Sequence, residues 1–168
     1  MANEILDILI DFFTNKSLIA FLASMLPVLE LRGSIPIAIL LLDMNWFHAF
    51  ILSVAGNFLI CIPLLYLLDI FKAIMSKNRY SAKIMNYAFN RANSKAEFIE
   101  SYKYYGLMLF VAIPFPVTGA WTGCLISSIL KMNRKKSLLF IMLGILISAT
   151  IVTILTLFFN YIPSFINR

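Results

Sequence analysis

Two apolar stretches, 18–42 and 104–130, are each broken midway by residues that a lipid-facing helix tolerates badly. In the first, Pro27, Glu30, Arg32, Gly33, Ser34 and Pro36 bring two charges, a glycine and two prolines into ten residues. In the second, Pro114, Pro116, Thr118, Gly119, Trp121, Thr122 and Gly123 bring two prolines, two threonines and two glycines into another ten. Two further stretches, 47–70 and 137–160, are apolar and carry no such concentration of breakers.

With 61% hydrophobic residues, 13% charged ones and a mean hydropathy of +0.90, the chain is too apolar to be covered by its own polar surface in water. Lipid is therefore the expected solvent, and each stretch approaches or exceeds the roughly 20 residues that carry a helix across a hydrocarbon core of about 30 Å. A single membrane domain over 1–168 accounts for the whole sequence. Residues 1–17 lack the basic start of a signal peptide; Glu4, Asp7 and Asp11 recur at helical spacing opposite apolar neighbours, as in an interfacial helix.

The basic residues decide between two topologies. Seven of the fourteen Lys and Arg lie in 72–103 and four in 131–136, the pattern of cytoplasmic flanks. Four straight crossings would put Lys131, Arg134, Lys135 and Lys136 outside. If 18–42 and 104–130 instead dip into the membrane and return, both basic segments are cytoplasmic and both termini external. The basic segments are read first as an orientation signal, ahead of a specific anionic-lipid site.

The expected fold is thus an all-α integral membrane protein of the plasma membrane. It has two inverted-topology units, 18–70 and 104–160, each a re-entrant helical hairpin plus a transmembrane helix, joined by the basic, amphipathic, cytoplasmic linker 72–103. Backbone that leaves the helical path at membrane depth must be covered by protein or line a cavity, so the two breaks are expected to face each other. Opposed broken helices are a common substrate site in secondary transporters.

Glu30 and Arg32 are the leading site residues, because a charge near the bilayer centre is costly and commonly marks a pathway or relay. Glu30 would take a proton or a cationic group, and Arg32 an anionic head group such as phosphate. Gly33, Ser34 and Pro36 are expected to shape the loop, with backbone N–H groups of the following half-helix offering an anion site. Opposite them, Pro114 and Pro116 break the chain, Thr118 and Thr122 offer hydroxyls, Gly119 allows close approach, and Trp121 fills the gap or stacks on substrate. Asn57, Ser148 and Thr150 fall near the centres of the crossing helices. Cys61 and Cys124, without a CxxC pattern, read as packing residues. No nucleophile–base set, metal-ligand cluster or phosphate loop is present, so no enzyme, cofactor, metal or nucleic-acid partner is expected.

The motifs running from Glu30 to Pro36 and from Pro114 to Gly123 resemble the putative small multi-drug export proteins, over nearly the whole chain. That family is in turn distantly similar to the DedA/VTT superfamily, whose members are thought to place an acid and an arginine between paired re-entrant hairpins and to move phospholipids or polyprenyl phosphates. Glu30 and Arg32 match that pattern; the second hairpin carries neither an acid nor an arginine. The resemblance implies a small exporter that binds an amphiphilic substrate, a drug-like compound or a lipid phosphate, with proton coupling as an option. A non-transporting scaffold that organises membrane lipids is the alternative, and with two hairpins and two crossings a homodimer is expected.

Overall fold

A computed structural model describes residues 15–75, 102–115 and 118–166, and the side chains of all of these except 67–75 and 161–166. Most of the expected interfacial helix at 1–17, most of the linker 72–103, and Pro116 lie outside the described residues. The described chain is helical, with no strand.

Two compact units divide the chain. The first combines Met1–Asn57 with Ala149–Arg168, and the second is Phe58–Ser148.

In the first unit, α1 (Lys16–Met25) starts where Asn15 accepts hydrogen bonds from the Ser17 and Leu18 N–H groups at 3.1 and 3.2 Å. It stops because Leu26, extended at φ −75° and ψ 135°, precedes Pro27, whose ring disfavours helical backbone before it. After a turn through Leu29 the chain re-enters a helix, α2 (Glu30–Pro36), then widens into a π-helical turn (Ile37–Leu41). Pro36 has no N–H to give the preceding turn, and a π turn is one way a helix absorbs that loss. Both α2 and the π turn pack against α1, so the segment is a helical hairpin.

The expected break was the whole of Pro27–Pro36. The structure confines it to Leu26–Leu29 and makes Gly33, Ser34 and Pro36 helical, because α2 keeps its backbone bonds through Gly33 and Ile37, whose N–H groups reach the Leu29 and Gly33 carbonyls.

Helix α3 (Trp46–Met75) begins on Asn45, whose side chain accepts from the Phe47 N–H at 2.9 Å. Its first half belongs to the first unit, and there Gly56 lets the backbone come close to α1: a Cβ at Gly56 would collide with the Ser24 hydroxyl and the Phe21 carbonyl. The Ser24 hydroxyl is already donated to that carbonyl at 2.6 Å.

The second unit holds the helix at 102–112 (α4), then α5 (Ala120–Ile129) and the first half of α6 (Arg134–Ile166). A Cβ at Gly123 would meet Val111 and Leu107, and one at Gly144 would meet the Met108 carbonyl and Val111, so α4 packs on both neighbours through glycine. The buried Ser127 hydroxyl donates to Ser137 at 2.6 Å, tying α5 to α6. Cys124 and Cys61 are both fully buried and neither is in a disulfide, with the Cys124 thiol 3.9 Å from the Cys61 carbonyl oxygen.

The four basic residues expected together in a loop at 131–136 are divided. Lys131 closes α5 in the left-handed region at φ 50°, whereas Arg134, Lys135 and Lys136 form the first turn of α6. Asn133 makes the difference, since its side chain and backbone carbonyls accept from the Lys136 and Ser137 N–H groups and start the helix there. Two spans, Trp46–Tyr66 in α3 and Arg134–Asn160 in α6, are long and apolar enough to cross a membrane.

Candidate functional site

Glu30 opens α2 with φ 45°, in the left-handed region that costs an ordinary residue about 1–2 kcal/mol. Its N–H donates to Leu26 at 3.0 Å, closing the turn, and the side chain is buried. The Arg32 guanidinium lies 3.6 Å from its carboxylate and keeps about a quarter of its surface open. Asp43, Lys103 and Lys131 also have left-handed backbone, but of these four residues only Glu30 is buried.

Ser34, one turn beyond Glu30, is fully buried, and its hydroxyl has no hydrogen-bond partner among the described residues. The same holds for Ser53 on α3 and Thr153 on α6, both in this unit. A buried hydroxyl without a partner costs about 1–3 kcal/mol, and three of them belong to this unit. Asn57 lies one turn after Ser53 on the same buried face of α3. Thr156, by contrast, donates to the Val152 carbonyl at 2.8 Å and is satisfied.

Of the residues expected at the site, Glu30, Arg32, Gly33, Ser34, Pro36 and Asn57 belong to this unit. At the half-helix start, where an anion site is expected, Glu30 places its own carboxylate in the first turn of α2. Thr150 is exposed, and Thr153 and Thr156 take the buried face in its place; Ser148 is buried as expected for a helix-centre hydroxyl. Ser53 and Thr153 were missed. Ser53 lies four residues before Asn57 and Thr153 three after Thr150, but hydroxyls at such spacing are common in membrane helices and do not by themselves mark these two.

The remaining residues, Pro114, Thr118, Gly119, Trp121 and Thr122, lie in the second unit. Thr118 serves its own turn: its hydroxyl lies 2.7 Å from the Ile113 carbonyl and 2.8 Å from that of Phe115, and the Phe115 N–H donates to it at 3.3 Å. Gly119 precedes α5 at φ 134°, a backbone that side chains rarely adopt, so glycine is required there for conformation. Trp121 and Thr122 are half-buried.

No curated protein and no solved structure matches the chain. A family profile described as "Putative small multi-drug export protein" matches residues 30–151, more than two thirds of the sequence. The match begins on Glu30, directly after the first hairpin break, and includes the second break, all of α3 and about half of α6. Two apolar helices fit for a membrane and a family profile over this extent lead to one conclusion: the chain is a membrane protein and belongs to the putative small multi-drug export protein family.

Proposed function

We propose that the chain is a transporter that passes an amphiphilic molecule, a cationic drug-like compound or a lipid phosphate, by way of Glu30 and Arg32, with Glu30 able to carry the coupling proton. The observation that carries this reading is the buried, left-handed Glu30 beside Arg32, in a unit where Ser34, Ser53 and Thr153 hold hydroxyls without a partner among the described residues. A carboxylate and a guanidinium side by side can each bind one end of a charged ligand, and can fall back on each other when it leaves. The neighbouring hydroxyls supply donors and acceptors of either sense.

The re-entrant arrangement is part of the proposal. The ten residues of α1 extend about 15 Å and those of α5 the same, half of a hydrocarbon core of about 30 Å. Each unit contains a hairpin, the first half of the long helix that follows it, and the second half of the other long helix. That repeated composition is what two inverted repeats would give.

Flux in proteoliposomes tests the function. Wild-type protein is expected to move a cationic dye or a short-chain fluorescent phospholipid faster than empty vesicles, with a dependence on an imposed proton gradient. Glu30→Gln and Arg32→Ala are expected to abolish that excess. Undiminished flux in both variants removes the pair from the mechanism, and absence of flux for every probe favours the lipid-organising scaffold.

A further inference from the structure

The first turn of α6 carries Arg134, Lys135 and Lys136, all exposed, with no acid in that turn. The positive end of a helix dipole repels such a cluster, and the three cations repel one another. Among the described side chains of the second unit there is no carboxylate to offset Lys131, Lys135 and Lys136. The cluster is nevertheless held in place by aromatic rings. Arg134 lies 5.4 Å from the Tyr66 ring centre and Lys136 lies 6.0 Å from that of Tyr104. The Tyr104 hydroxyl accepts from the Asn133 N–H at 3.2 Å, and Phe140 packs on the Tyr104 and Tyr105 rings.

Below this basic collar the surface changes character. Lys135, Leu139, Leu143 and Ile147 follow one another at four-residue steps along α6, and all are exposed. On α4, which packs against α6 at Gly144, Tyr105, Leu109 and Ile113 repeat the same spacing and exposure. Cations and tyrosines at one end of two apolar rails match the layered chemistry of a phospholipid with an anionic head.

We propose that this face of the second unit seats an anionic phospholipid, its phosphate at Lys131, Lys135 and Lys136 and an acyl chain along Leu139 and Leu143. The lipid is a bound partner here, not the transported molecule. Charge complementarity and the continuous apolar rail select this occupant over a free phosphate, which would have no use for the rail.

Native mass spectrometry of the purified full-length chain tests the seat. Phosphatidylglycerol is expected to be retained over phosphatidylcholine, and Lys135→Gln/Lys136→Gln to lower that preference by about fivefold or more, while Lys135→Arg/Lys136→Arg keeps it. Equal retention of the two lipids, or a preference unchanged in the glutamine variant, overturns the proposal, as does displacement of phosphatidylglycerol by millimolar inorganic phosphate. Should the glutamine variant fail to fold, photo-crosslinking of wild-type protein decides: a phosphatidylglycerol with a photoreactive acyl chain is expected to label 139–143, and labelling that is scattered or equal with phosphatidylcholine overturns the seat.

Discussion

Arg32 reaches the Glu30 carboxylate at 3.6 Å across an interval of two residues, which in a regular helix would set the two side chains on opposite faces. The left-handed φ of Glu30 makes the contact compatible with α2, because it turns the acid out of the helical series that Arg32 follows. Strain and ion pair are therefore one feature. The losses in stability of Glu30→Gln and Arg32→Gln are expected to sum to more than the loss in the double variant, by about 1 kcal/mol or more. Unfolding curves in detergent for the two single variants and the double variant measure that coupling; simple additivity would mean the pair is incidental.

Gly56 and Gly144 lie where a Cβ would strike backbone as well as side chain, whereas at Gly33 it would meet the Leu29 side chain alone. Gly56→Ala and Gly144→Ala are expected to lower stability by about 1–3 kcal/mol. Gly33→Ala should cost less, since part of its strain is offset by the roughly 0.5–1 kcal/mol that alanine gains over glycine within a helix. Midpoints of thermal aggregation rank the three variants, and a ranking with Gly33→Ala worst would contradict the packing.

Thr118 closes the second break through its hydroxyl. Thr118→Val is expected to lose about 1 kcal/mol, and Thr118→Ser to recover most of it because the oxygen is retained. Proteolytic nicking near 113–119, read by mass spectrometry, should rise in the valine variant only.

Topology is decided by single cysteines in a Cys61→Ala/Cys124→Ala background. Asn45 and Asn133 are both exposed and directly precede the long helices. Re-entrant hairpins predict that Asn45→Cys reacts with an impermeant thiol reagent on intact cells and that Asn133→Cys reacts only after permeabilisation. Labelling of both from outside would instead mean four straight crossings.

Much of the helical content could be read from sequence because apolar runs and proline announce themselves locally. The long helices start a residue or three earlier than hydropathy placed them, since Asn45 and Asn133 cap them with polar atoms that a hydropathy scale counts as loop. Glu30 and Arg32 stood out as charges in an apolar run. Ser53 and Thr153 did not, because a hydroxyl is common in membrane helices and only burial without a partner distinguishes these two. The helical state of Gly33, Ser34 and Pro36 was missed for another reason: a π turn follows Pro36, and no residue type signals that in advance.

The first unit is discontinuous in the chain: it opens with Met1–Asn57 and is completed only by Ala149–Arg168, with all of the second unit between them. During synthesis the order of completion is therefore the reverse of the order of translation. The hairpin that carries Glu30 is made early and must wait for the helical segment bearing Thr153, while Phe58–Ser148 can close on residues already made. Until the residues beyond Ser148 have left the ribosome, the hairpin that carries Glu30 lacks the last part of its unit, which makes that interval the point at which an insertion chaperone would matter most.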